Sequence, residues 1–221
     1  WRARRTVTGL ERVEGLISSK VITKIAAGRK HVVAIDDEGE VYTWGSHEGD
    51  RLGPADEKNT PHKECAYSPV CVHLGALKGK PVRYASAGGA HTLLLTTCGE
   101  VYSYGYYHAG ALGWQVKPGF ATSMHCLQNY CPCSIGKVVL KNTNYRAICV
   151  AAGGSHSVIV TSNGEVHTCG ENSSWQLMND EKPLCPLPSR VWALYNVHVV
   201  KASACGRYTV VLDKDGNVHH S

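Results

Sequence analysis

The 221-residue chain has one phenylalanine, two methionines and no window of eighteen consecutive apolar residues. A membrane-spanning helix needs about twenty such residues, so insertion into a membrane by that route is excluded. Arg2, Arg4 and Arg5 crowd the start, but no apolar stretch follows them as a signal peptide would require. A charge run at a terminus is either simply solvated or offered to an acidic partner. A strong excess of one charge is also missing. The formal net charge is only +5, which argues against nucleic acid, chromatin included, as the partner. There is no P-loop, nucleophile elbow or zinc-protease motif. Enzyme readings are therefore weak, and no cofactor is expected.

What is plentiful points to β-structure. There are 23 glycines, 11 tyrosines, 5 tryptophans and 10 cysteines. Glycine together with aromatic and β-branched residues favours tight turns and strands over helices. Ten cysteines would suit a disulfide scaffold, but those are usually shorter and carry a secretory signal. The thiols are accordingly read as reduced, in a cytoplasmic or nuclear protein.

The sequence repeats itself. Ala27-Gly28-Arg29-Lys30-His31-Val32-Val33-Ala34-Ile35 is followed by Gly39-Glu40-Val41-Tyr42-Thr43-Trp44-Gly45. The same pattern returns from Ala87 through His91 to Gly105, and from Ala152 through His156 to Gly170. A fourth copy runs from Ala204 and Tyr208 to Gly216-Asn217-Val218. The marker residues His31, His91, His156 and Tyr208 lie 60, 65 and 52 residues apart, and the turn glycines 39, 99, 164 and 216 have the same spacing. Units are expected at about 12–53, 70–113, 138–178 and 190–221. Within each unit a hairpin joins two short strands, and Asn163-Gly164 and Asp215-Gly216 suit a type I′ turn. Leu93-Leu94-Leu95 and Val158-Ile159-Val160 are apolar at every position, so both faces of their strands should be buried between neighbouring sheets. A β-propeller meets these demands.

These motifs resemble the regulator of chromosome condensation repeat: Gly-x-x-His, an apolar strand, Gly-x-Val-Tyr-x-Trp-Gly, then a loop ending Leu-Gly. The loop endings here are Leu52-Gly53, Leu112-Gly113 and Leu177-Met178. Departures are Cys169 at the tryptophan position, Cys205 and Met178 at glycine positions, and Tyr208 at the histidine position. The resemblance implies an all-β fold, a seven-bladed β-propeller of which about three and a half antiparallel blades are present. The chain opens without an initiator methionine and stops one residue short of the next expected glycine, so it is read as a piece of a longer polypeptide.

The repeated His31, His91 and His156 invite a catalytic or metal cluster. Their equivalence points instead to a structural role, each serving its own blade by hydrogen-bonding buried backbone; Trp44, Gly45, Gly105 and Gly170 are structural repeat positions too. Two connecting loops hold His62, Cys65, Cys71, His73 and His125, Cys126, Cys131, Cys133. Their spacings are not those of Cys-x2-Cys knuckles, so no metal is expected and Cys126, Cys131 and Cys133 are weak candidates only. Cys169 and Cys205 are read as small apolar core residues. Function is expected on the loops after each Trp-Gly, a partner-binding rim of His47, Glu48, Asp50, Arg51, Tyr106, Tyr107, His108, Glu171, Asn172 and Trp175.

Family propellers recur in giant ubiquitin ligases, ciliary proteins and kinases. The resemblance therefore implies a non-catalytic protein-interaction scaffold inside a larger protein, a ubiquitination substrate being one class of partner. The alternative is guanine-nucleotide exchange on a Ran-like small GTPase, the founding activity, for which the insertion from Lys117 to Asn144 is the only candidate wedge. Ultraviolet sensing would need clustered tryptophans, and the five here are dispersed.

Overall fold

The computed structural model describes residues 9–54, 65–72, 75–77, 79–114, 135–141, 143–179 and 183–221. The first sheet holds Ile22–Ala27 (β1), His31–Asp36 (β2), Val41–Ser46 (β3) and Cys65–Cys71 (β4), antiparallel and in that order. The second holds Val82–Ala87 (β5), His91–Thr96 (β6), Val101–Gly105 (β7) and Gly136–Val138 (β8). The third repeats the order with Ala147–Ala152 (β9), His156–Thr161 (β10), Val166–Glu171 (β11) and Leu184–Arg190 (β12). The last has three strands, Val199–Cys205 (β13), Tyr208–Asp213 (β14) and Val218–His220 (β15). The fold is all-β, and these four sheets, three of four strands and one of three, are blades of a propeller. Among the described residues the helical pieces are short 3-10 turns such as Glu48–Asp50, Gly75–Leu77 and Trp192–Leu194.

Successive sheets stack face to face, with the first strands β1, β5, β9 and β13 side by side at the inner edge. The all-apolar strands explain the stacking. Leu94 packs toward the first sheet with Val33, Ile35 and Val82, while Leu93 and Leu95 pack toward the third with Val150 and Ile159. Val158 and Val160 turn the other way, onto Val199 and Val211 of the last sheet. Each such side chain contributes about 1.5–3 kcal/mol by leaving water. Two outer faces stay uncovered, with Ile25 exposed on one and Tyr208 and Val218 on the other.

The hairpins are not the type I′ turns that Asn163-Gly164 and Asp215-Gly216 predict. Only the glycines, at φ +84° and +89°, are left-handed; Asn163 and Asp215 are not. Gly164 N–H donates to Thr161 and Thr161 N–H to Glu165, the pattern of a type I turn closed by a left-handed glycine bulge. The extra residue lets a side chain tie the turn, as Asp213 does by accepting from the N–H groups of Asp215 and Asn217. Cys65 and Cys71 lie on a strand rather than in a connecting loop: Cys65 opens β4, which Cys71 closes. The two cysteines therefore sit at opposite ends of one edge strand, about 20 Å apart at 3.3 Å per residue.

Candidate functional site

The marker histidines hold neighbouring blades together. His31 Nε2 lies 2.9 Å from Thr92 Oγ1, His91 Nε2 2.9 Å from Ser157 Oγ, and His156 Nε2 2.9 Å from Thr209 Oγ1. In every case the hydroxyl belongs to the next blade, so the expected bond to backbone of the histidine's own blade is replaced by a side-chain bond across the interface. The hydroxyls pass the link on, from Ser157 to Ala111 O at 2.7 Å and from Thr209 to Gln176 O at 2.6 Å. A carbonyl cannot donate, so the hydroxyl gives its proton there and accepts from imidazole Nε2–H. That fixes the neutral tautomer with bare Nδ1. Burial lowers the histidine pKa values to about 4 for His31 and His156 and about 3 for His91, so none carries charge at neutral pH.

Glycine makes room for each imidazole. A Cβ at Gly28, Gly88 or Gly153 would lie 2.6, 2.8 or 2.1 Å from Cε1 of the following histidine. The same loops let the blades touch through backbone: Arg29 N–H donates to Gly88 O, Gly89 N–H to Gly153 O and Gly154 N–H to Gly206 O. In the fourth repeat Tyr208 replaces the histidine and is exposed. With no imidazole folded back, Cys205 fits where the others need glycine, and its thiol is exposed rather than in the core. Cys169 is buried.

These glycine loops floor a concavity of about 800 Å³ around the inner strands, walled by Arg29, Lys30, Glu48, Arg51 and Tyr106. Three of the rim residues expected from the sequence, Glu48, Arg51 and Tyr106, meet there. Glu48 pairs with Lys30 and Arg51, each at 3.2 Å, and the Lys30 ammonium holds its carboxyl below the usual range. Arg51 is only 5% exposed and donates to Gly89 O at 3.3 Å. Asn172 is likewise buried, bonding Asn179 O and Leu177 N–H. Both brace their loops rather than reach outward. Glu171 lies 3.8 Å from Arg207 and His47 3.7 Å from Asp50. Tyr107 is half-buried, and desolvation followed by the nearby Cys169 thiol raises its hydroxyl pKa. The His108 side chain lies outside the described residues, as do His62, His73, His125, Cys126, Cys131 and Cys133. Among the described residues no cluster of three metal-ligating side chains occurs.

Trp175 stands out on the third loop. It takes a left-handed φ of +62° and the residue is 60% exposed. The equivalent positions are Asp50 at φ +53° and Gly110 at φ +78°, so the loop imposes the conformation and glycine meets it without strain. A bulky residue there costs about 1–2 kcal/mol, and its exposed ring contributes nothing to the core.

Models of the regulator of chromosome condensation (RCC1) repeat match residues 22–48 and 147–176, and residues 38–95. The chain belongs to the RCC1 repeat family. It is 28% identical over 209 residues to the human E3 ubiquitin-protein ligase HERC2, covering 94% of this chain and 4% of HERC2. Among solved structures it is similar to human WBSCR16, with a TM-score of 0.79 and 22% identity over 95% of this chain and 50% of that one. It is also similar to Prp20p of Saccharomyces cerevisiae, with a TM-score of 0.70 and 20% identity over 86% of this chain and 43% of that one. The chain thus spans a small part of HERC2 and about half of either solved propeller. At these identities the two structures speak to fold alone. The hydroxyl partners of the RCC1-repeat histidines escaped the sequence reading, although a signal was present. Thr92, Ser157 and Thr209 each follow a marker position directly.

Proposed function

We propose that this chain is a non-catalytic protein-interaction module, the propeller through which a larger protein holds protein partners in the cytoplasm or nucleus. The observation that carries the reading is the glycine-floored concavity with charged and aromatic side chains on its wall. Its floor is fixed by backbone bonds between blades, so the face meets a partner without reordering, which lowers the entropic cost of association. HERC2, a ubiquitin ligase of which this chain matches a small part, supports the reading of a module inside a longer chain; a ubiquitination substrate is one class of partner that fits. Prp20p is described by its binding to Gsp1p and histones, again protein partners of a propeller.

The test is affinity capture by the wild-type chain and by a variant carrying Tyr106→Ala and Trp175→Ala, two rim aromatics outside the apolar core clusters. The variant should keep the wild-type denaturation curve and lose the proteins that the wild type retains. Undiminished capture would remove the rim from the account. A nucleotide-free small GTPase among the captured proteins would replace the scaffold reading with nucleotide exchange.

A further inference from the structure

The opposite side of the sheets, where the hairpins lie, carries a second feature. Val191 leads into the 3-10 turn Trp192–Leu194, closed by Leu194 N–H donating to Val191 O and Tyr195 N–H to Trp192 O. Leu194 is buried in the core beneath it. The link between the first two blades makes the same turn at Gly75–Leu77, with Leu77 buried in the place of Leu194. In the sequence Gly75 corresponds to Trp192 and Lys78 to Tyr195. The repeat therefore needs the leucine and not the aromatics. Trp192 and Tyr195 are nonetheless 62% and 61% exposed.

The rings are organised. Their centroids are 6.0 Å apart at an interplanar angle of 23°. The Arg190 guanidinium lies 4.8 Å from the Trp192 ring centre and 5.0 Å from that of Tyr195. Arg190 is fixed in turn by Glu165, with Nη1 3.0 Å from Oε1. Beside them His167 is buried, its pKa lowered first by desolvation, and is neutral at pH 7. Two exposed rings and a guanidinium locked by a carboxylate make a preorganised platform with balanced charge.

We propose that Trp192, Tyr195 and Arg190 form a docking platform for a proline-rich segment of a partner protein in the polyproline II conformation. The charge balance chooses the class. A lysine- or arginine-rich segment would meet Arg190 on the face of the rings that attracts cations. An acidic segment would find that arginine already neutralised by Glu165. A neutral segment with rigid apolar rings suits the aromatic faces, and polyproline II is recognised on aromatic surfaces because it is already ordered. Its backbone carbonyls have no internal partners, and Arg190 has more N–H donors than its pair with Glu165 uses.

The test is a titration of the full chain, labelled with nitrogen-15, with a decaproline peptide, followed through the tryptophan indole N–H resonances. The Trp192 indole should shift saturably while those of Trp44 and Trp175 stay still. Substituting Trp192→Gly and Tyr195→Lys, the residues that the equivalent turn already has, should weaken binding at least tenfold; the CD spectrum and urea midpoint check that the variant folds. An octaglutamate or octalysine peptide that shifts Trp192 at lower concentration than decaproline would overturn the ligand class. An unshifted Trp192 indole in the wild type would overturn the platform, and that readout needs no variant.

Discussion

Replacing Ser157 by alanine isolates the bond that joins two blades. Ser157 Oγ accepts from His91 Nε2 at 2.9 Å and donates to Ala111 O at 2.7 Å, in a buried setting. Alanine fits the space, so the loss is almost wholly polar. It strands one imidazole N–H and strips the carbonyl of its short bond, leaving that oxygen, among the described residues, the Cys169 thiol at 3.8 Å. A buried donor or acceptor without a partner costs about 1–3 kcal/mol, so with two groups stranded Ser157→Ala should cost about 2–6 kcal/mol in total. Thr92→Val is the graded comparison. Thr92 Oγ1 lies 3.4 Å from its carbonyl, Arg51 O, so mainly the His31 N–H is stranded and the cost should be about half. Urea denaturation reads both values from the midpoint at constant slope. A double-mutant cycle with His91→Asn should give a coupling of at least about 0.5 kcal/mol. A Ser157→Ala cost below about 0.5 kcal/mol, or strict additivity with His91→Asn, would refute the cross-blade link.

Two further outcomes follow from the same interface. Gly88→Ala places a Cβ 2.4 Å from Gly153 O and 2.8 Å from His91 Cε1, whereas a Cβ at Gly206 meets nothing within 4 Å. Gly88→Ala should therefore fail to fold or lose several times the stability lost by Gly206→Ala, whose only burden is its φ of +56°, about 1–2 kcal/mol; equal midpoints in urea would contradict the packing. The folded pKa values of His31, His91 and His156, about 4, 3 and 4, all lie below the ordinary 6.5. Their contribution is complete above pH 6.5 and drains as pH falls toward 4, because the unfolded chain then takes up protons that the folded chain refuses. Each histidine accounts for up to about 1.4 kcal/mol per pH unit. The paired Glu100 carboxyl, lowered to about 2 by its bonds to Lys137 and Lys80, contributes to acid loss only below its ordinary 4.5. Urea midpoints should thus already fall between pH 6.5 and 5, and a flat profile there would show that the imidazoles can be protonated in place.

The repeat and the two-sided burial of its strands are legible in the amino-acid sequence. Spacing of 60, 65 and 52 residues between equivalent positions, with Leu93-Leu94-Leu95 and Val158-Ile159-Val160 unbroken by polar residues, leaves stacked sheets as the arrangement that hides both faces. It also located the loops that hold Glu48, Arg51 and Tyr106. The partner of each marker histidine was beyond its reach. His91 and Ser157 are 66 residues apart in the chain and become neighbours only once two blades pack. Turn chemistry misled for a related reason. Asn-Gly and Asp-Gly dipeptides serve several turn types, and the hydrogen bonds across the strand ends decide among them. The buried states of Arg51 and Asn172, and the meeting of Arg190 with Trp192 and Tyr195, likewise depend on side-chain direction. Periodicity records which faces avoid water; only packing in three dimensions decides which polar group finds which partner.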